Sequence, residues 1–308
     1  MPCTFRTDAS VAPLSMPAPC RCVLHARRFF TGGVVGAALA AALPAQASIP
    51  ECKRSGFTKA VSAEQVENSA TQQYRQMLQK ASGERALAPA DNAQVQRLRA
   101  IAARIIPFTP ECNERAKQWQ WEVNLIGSRQ INAFCMPGGK IAFFYGILAE
   151  LQLDDDEVAM VMGHETAHAL LEHAREQAGK NTVTSGGLRL GAALLGLGNL
   201  GDLGAQGLAK LASLKFSRDD ESEADSLGLL MAARAGYDPR KGITLWQKMM
   251  GGNGRKPAEI LSTHPAGPTR IKDIEAHLPQ MMPLYAAAAK PPTRFAPPAR
   301  PAAQNQAR

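Results

Sequence analysis

The sequence predicts an α+β domain, mainly helical, with a small antiparallel or mixed sheet beside one long helix. Three observations predict it. Two stretches with apolar residues at helical spacing come first, near residues 62–80 and 91–106. Three short segments of strand character follow between 119 and 145, two of them joined by Pro137-Gly138-Gly139. Then a strongly capped helical pattern begins at Asp154 and carries His164-Glu165-Thr166-Ala167-His168.

In residues 62–80, Ser62 and Gln65 make a capping box, and Val66, Tyr74, Met77 and Leu78 give partial helical spacing. In residues 91–106, Val95, Leu98, Ala102 and Ile105 share one face, and Pro107 stops the helix. Trp119, Trp121, Val123 and Leu125 alternate with Gln120, Glu122 and Asn124, the period of a half-buried strand over 119–126. Residues 131–136 and 140–145 make a hairpin about the Pro-Gly-Gly turn. The capped helix is expected to run from Asp154 to about Gln177, with Asp154 and Glu157 as its box and three acidic residues where the helix dipole favours them. Residues 186–208 are rich in Gly and Leu, too short and too glycine-broken to span a bilayer. They read as a loop facing substrate or a membrane surface, with a buried helical hairpin as the alternative. Residues 217–235 form a further helix stopped by Gly236, and 243–250 one more. From Ala286 to the end the chain is Ala/Pro-rich and reads as a disordered tail.

Of the formal charge of +8, residues 1–47 carry +3 (four Arg against Asp8), leaving +5 on the 261 residues that follow. No Lys/Arg run interleaved with aromatics appears, which argues against nucleic acid as a partner. Arg27-Arg28-Phe29-Phe30, a Gly/Ala-rich apolar run to Leu43, and Ala45-Gln46-Ala47 make a signal peptide over 1–47, cleaved after Ala47. The paired arginines fit a twin-arginine signal as well as an ordinary secretory one. Export to a periplasm follows, leaving one domain over 48–285 and the tail over 286–308. Three of the six cysteines, Cys52, Cys112 and Cys135, lie beyond the leader, and an oxidising compartment permits a Cys52–Cys112 disulfide.

The chemistry rests on H-E-x-x-H. Residues four apart on a helix stack on one face, so His164 and His168 can reach one ion, while Glu165 is turned toward the attacking water. A catalytic zinc needs a third protein ligand and one open position. Metzincin spacing puts Gly and His at positions held here by Leu171 and Ala174, which excludes that subclass. His173 falls off the ligand face and reads as a solvated helix histidine. A ligand from a second helix is offered by Glu221-Ser222-Glu223-Ala224-Asp225. Glu221 and Asp225 share a face, suiting a ligand carboxylate and a carboxylate that accepts the N–H of a ligand imidazole. Glu223 is the alternative ligand.

Four motifs in order resemble one known family over about residues 115–275. They are Asn132-Ala133-Phe134-Cys135-Met136-Pro137-Gly138-Gly139, then Gly146-Ile147-Leu148, then the H-E-x-x-H helix, then Ser217-Arg218 leading into E-x-E-A-D. Together they look like zinc metallopeptidase family 48, of the prenyl-protease, heat-shock-protease and β-barrel-assembly-enhancing type. The resemblance implies a gluzincin-like fold with one zinc per chain on His164, His168 and Glu221, and Asp225 orienting a ligand. It also matches His264-Pro265 and Arg270-Ile271 to a downstream motif, placing His264 at the metal, as oxyanion donor or as a cap on the open position. Cys135 stands where the family more often has a small residue. Partner docking and lipidated substrates are not carried over.

The expected activity is hydrolysis of peptide bonds in unfolded or misassembled envelope proteins by an exported zinc endopeptidase. Glu165 is the base, and His264 or Arg270 stabilises the oxyanion. An extended substrate would add as a strand along Asn132, Ala133 and Phe134, near Gly138 and Gly139. The competing expectation is a zinc-containing chaperone or assembly factor with little or no proteolysis.

Overall fold

The computed structural model describes residues 52–184, 215–251, 258–265 and 269–300. The leader over 1–47 and the Gly/Leu-rich stretch over 186–208 lie outside the described residues, as does the end of the tail from 301. All the described residues belong to one compact unit, Pro44–Arg308.

Helix α1 (Ala63–Gly83) opens on Ser62, whose side chain accepts the Gln65 N–H. Helix α2 (Ala93–Ile105) opens on Asn92 and buries Val95, Leu98, Ile101, Ala102 and Ile105. Strand β1 (Glu122–Ile126) is shorter than the alternation suggests. Trp119 and Trp121 instead lie ahead of it, tilted against each other at 5.3 Å. Their indole N–H groups donate to Glu67 at 3.0 Å and to the Ala116 carbonyl at 3.2 Å. The ladder starts only at Glu122, opposite Lys140.

The sheet is mixed, in the order β1-β3-β2: β3 (Lys140–Phe144) lies between β1, parallel to it, and β2 (Ala133–Met136), antiparallel. The β2–β3 turn uses left-handed glycines, φ +87° at Gly138 and +76° at Gly139. A Cβ on Gly139 would also sit 2.7 Å from a Trp121 ring carbon.

A short helix that the sequence did not announce, α3 (Tyr145–Leu151), ends on Gln152 at φ +49°. Helix α4 (Asp155–Leu170) follows, with the expected Asp154/Glu157 box in place. Every residue of α4 except Asp156 is buried, so it is the central helix of the domain. It does not reach Gln177. Glu172 turns left-handed at φ +61°, and α5 (His173–Thr184) leaves in a new direction. The break is held by Asn113, whose side chain donates to the Leu170 carbonyl at 3.0 Å, and by Arg175 on the Glu172 carboxylate at 2.7 Å.

Helix α6 (Arg218–Arg234) carries a Ser217/Asp220 capping box and is followed by Gly236 at φ +87°. It crosses α4 at a pair of glycines. A Cβ on Gly163 would lie 2.7 Å from the Gly228 carbonyl oxygen, and one on Gly228 would lie 2.7 Å from the His164 nitrogen. Helix α7 (Lys241–Met249) and helix α8 (Arg270–Ala287), which contains Pro279 and Pro283, complete the helical layer. The main core lies among α2, α4, α6, α7 and one sheet face; a smaller one, with Val66, Ala70, Tyr74, Phe134 and Ala142, lies between α1 and the other. The Cys52–Cys112 disulfide is formed.

The expectation of disorder from Ala286 fails as far as residue 300. The segment lies extended across α2, α3 and α4. Phe295 donates its N–H to Asp155 at 2.8 Å, and Arg294 pairs with Asp156 at 2.9 Å. Gln152 and Gln94 donate to the Pro298 and Ala296 carbonyls at 2.8 and 3.1 Å, and Tyr145 to the Ala299 carbonyl at 3.2 Å. Prolines remove donors but not acceptors, and those carbonyls are met by side chains of the domain.

Candidate metal centre

Helix α4 presents His164 and His168 one turn apart, and α6 presents Glu221 across the glycine crossing. The His164 and His168 Nε2 atoms are 3.1 Å apart. Glu221 reaches them with Oε2 at 3.5 Å and Oε1 at 3.4 Å respectively. Ligand bonds of about 2.0–2.1 Å in a tetrahedron put ligand atoms about 3.3–3.4 Å apart, close to this triangle. The donor chemistry agrees. His164 Nδ1 faces Asp225 Oδ1 at 2.9 Å, so its proton belongs there and its Nε2 lone pair faces the group. Burial pushes the His168 pKa well below its ordinary value, keeping it a neutral donor. For Glu221, burial pushes upward, but hydrogen bonds with His168 and His264 outweigh it and hold the carboxylate ionised. Two imidazoles and a carboxylate converging on one point fit a zinc ion.

Asp225 stands against the His164 imidazole, 2.9 Å from its Nδ1. Burial raises its pKa, and its bond with His164 and the charge of Arg270 bring it below the ordinary value. Glu165 is buried at 3% exposure, and its Oε1 has no hydrogen-bond partner among the described residues. Burial raises its pKa against the opposing charges of His264 and His164. His264 stands after a short 3-10 turn (Glu259–Ser262), its Nδ1 2.9 Å from Glu221 Oε1 and its Nε2 3.7 Å from Glu165 Oε1. With His164, His168 and Glu221 it completes a buried group of potential ligand atoms, all within 4.8 Å of one another.

Arg270 is in the site, but the geometry does not give it to an oxyanion. Its guanidinium bonds both oxygens of Asp225 at 2.6 Å, bonds Glu221 Oε2, and stacks on Trp246 at 3.7 Å. It holds the two carboxylates in place. The turn glycines are also displaced from their expected role. Gly138 packs against Glu67 and Thr71 of α1, and Gly139 against Trp121. Asn132 is spent on the strand: its side chain accepts the Ala133 N–H, and its carbonyl the Phe144 N–H. The Phe134 ring packs in the smaller core against Tyr74 and Phe144.

The β2 strand itself does border the centre. A narrow cleft is lined by Ala133, Phe134, Cys135 and Met136 together with Glu165 and His264. The Phe144-to-Asn132 bond makes 132, 134 and 136 the paired positions toward β3, so the main chain of Ala133 and Cys135 faces away from it. Beyond His164 and Glu165 lies a narrow apolar pocket with Met160, Leu229, Leu245 and Trp246 in its wall. The Cys135 thiol is buried, which pushes its pKa up and keeps it protonated.

The family model described as peptidase family M48 matches residues 91–278, more than half of the chain and all of the residues that build the centre. The chain belongs to peptidase family M48. Among curated proteins this M48 chain is similar to mitochondrial metalloendopeptidase OMA1 of Arabidopsis thaliana, at 41% identity over 49% of this chain and 30% of that protein. It is similar to the Schizosaccharomyces pombe protein of the same name at 38%, over 52% and 48%. The β-barrel assembly-enhancing protease of Escherichia coli strain K12 matches at 28%, over 52% and 35%. The M48 chain thus aligns over only about a third to a half of the length of these relatives.

Three parts of the M48 site escaped sequence reasoning. His173, expected in solvent, is 3% exposed and stands 2.8 Å from His168. Phe216 stacks on the His168 ring at 4.1 Å. Gly163 and Gly228 set the approach of the two ligand helices. A glycine in each helix at this spacing was the available signal for the last; Phe216 offered none.

Proposed function

We propose that the chain is a zinc-dependent endopeptidase that cuts extended segments of unfolded or misassembled proteins after export to the cell envelope. The triangle of His164, His168 and Glu221 carries the reading, with beside it the buried Glu165 oxygen that has no hydrogen-bond partner among the described residues. Those three residues would hold the zinc, which when bound supplies Lewis-acid activation of a water and a peptide carbonyl. Glu165 takes the water's proton and returns it to the leaving amine; its raised pKa suits a group that must both accept and release. His264, whose pKa burial lowers but Glu165 and Glu221 raise above its ordinary value, donates toward the developing oxyanion. A substrate strand pairs with the outward main chain at Ala133 and Cys135. No helix among the described residues is long and apolar enough to cross a membrane. The leader read over 1–47 supports export, and the relatives named as mitochondrial mark the other compartment in which a chain of this kind works.

One observation favours the second reading, a chaperone or assembly factor whose zinc is closed off. His264 lies inside the ligand group and can serve as a fourth protein ligand. The Glu165→Gln protein decides between them. Endopeptidase chemistry requires full zinc content with casein cleavage reduced by about 10²–10⁴-fold. Wild-type protein that holds zinc but leaves casein intact supports the chaperone, and substantial cleavage by the variant removes Glu165 as base.

A further inference from the structure

The two imidazoles of the centre are supported unequally. His164 leans on Asp225, which Arg270 fixes in turn. His168 leans on His173, a residue the helix break brings back to it. A helix continuing past Leu170 would have pointed His173 away; the left-handed Glu172 and the new axis of α5 place its Nδ1 2.8 Å from His168 Nδ1. Two ring nitrogens at that separation need one proton between them. His168 Nε2 faces the ligand group, so its proton is on Nδ1 and is donated to His173 Nδ1. The His173 proton is therefore on Nε2, which faces Glu223 Oε2 at 3.3 Å and Asp220 Oδ1 at 4.0 Å. The polarity runs one way, from the metal-facing nitrogen outward to a carboxylate at the surface. Glu223 is the residue weighed as an alternative ligand; it lies on the far side of His173 from the ligand group.

We infer that His173, steadied by Glu223, is the positioning residue for His168, fixing its tautomer and ring direction as Asp225 does for His164. The inference rests on the zinc-site reading above. It makes His173 an acceptor with a defined role, where packing beside Phe216 alone would need only its bulk. The arms also differ in strength. His164 is backed by a buried carboxylate clamped by an arginine, whereas His168 is backed by an imidazole whose own partner is half exposed.

The test is zinc affinity of the full chain, measured by chelator competition on wild type and on His173→Ala, His173→Phe, His173→Asn and Glu223→Gln, with circular dichroism of each metal-free protein. Loss of a partner that orients a ligand histidine weakens metal binding by about 10–100-fold. That loss is expected for Ala and for Phe, which keeps the bulk but cannot accept. Asn, whose oxygen can take the place of Nδ1, should recover most of the affinity, and Glu223→Gln should lose less than tenfold. Nitrogen-detected imidazole spectra should place the His168 proton on Nδ1 in wild type and show mixed tautomers in His173→Phe. Wild-type affinity in His173→Phe, or no recovery in a folded His173→Asn, overturns the positioning role while leaving the centre intact. If His173→Ala fails to fold, Glu223→Gln and the wild-type tautomer still decide: an Nε2 proton on His168 sinks the inference. Wild type that binds no zinc overturns the metal-centre reading and the inference together.

Discussion

Gly228→Ala perturbs the centre without touching a ligand. The added Cβ would stand 2.7 Å from the His164 nitrogen, 2.8 Å from the Gly163 carbonyl carbon and 2.9 Å from the His164 Cα, all main-chain atoms that no rotamer can move. Ordinary contact begins at 3.4 Å, so α6 must retreat from α4 by about 0.7 Å, the difference between 3.4 and 2.7 Å. Overpacking of that kind costs about 1–3 kcal/mol. At roughly 2–4 °C per kcal/mol for a domain of this size, the metal-free protein should melt about 2–12 °C lower. The second consequence is larger. Glu221 and Asp225 ride on α6, and metal–ligand distances tolerate only about ±0.2 Å. Moving both carboxylates off His164 and His168 by several times that amount should weaken zinc binding at least tenfold. Differential scanning calorimetry and chelator competition read the two effects separately. Gly83→Ala is the matched control: it lies at the end of α1, its Cβ would meet nothing within 4 Å, and it should be neutral or slightly stabilising. Gly228→Ala protein with wild-type melting and wild-type zinc affinity would refute the idea that this contact sets the ligand spacing.

Removing the Cys52–Cys112 link, 60 residues apart in sequence, should cost about 2–4 kcal/mol, read as a lower urea midpoint for the double serine variant than for the oxidised protein. Deleting residues 289–300 should lower stability by about 1–3 kcal/mol, because it leaves the buried Asp155 with Arg97 alone and takes one partner each from Asp156 and Gln152; unchanged melting would show that the strap is only laid on the surface. Burial raises the Asp154 pKa, but the Lys241 bond and the Glu157 N–H outweigh it and hold the carboxyl below its usual value. A carboxyl lowered in the folded state stabilises above its unfolded pKa of about 4 and loses that contribution as pH falls through the lower folded value. Asp154→Asn keeps a capping oxygen and should flatten the urea-midpoint profile below about pH 4; an unchanged acid limb would contradict this.

What could be read from the chain depended on whether the signal was local. His164, Glu165, His168, Glu221 and Asp225 are spaced by one helical turn or one residue, and helical geometry alone brings each set to one face. His264 and Arg270 are distant in sequence and came only through resemblance, and Arg270 was then given the wrong work because its partners could not be seen. His173 was misplaced for a definite reason: projection along one continuous helix assumes no break, and a glutamate at φ +61° gives no warning in the sequence. The paired glycines look like weak points by helix propensity and are in fact the contact between two helices. In the tail, composition predicted disorder because it counts missing donors and ignores acceptors that a neighbouring surface can satisfy. The tryptophans before β1 kept their alternation but lost their ladder, since the pairing partner ends at a turn.

The extended segment after α8 has a further consequence. An Ala/Pro-rich end hanging free is a convenient thread for unfolding machines and for other peptidases, which need several residues of slack backbone to begin. Here the carbonyls of Ala296, Pro298 and Ala299 and the N–H of Phe295 are already engaged by Gln94, Gln152, Tyr145 and Asp155. To be taken from this end past residue 300, the chain must first be peeled from the shoulder of its central helix.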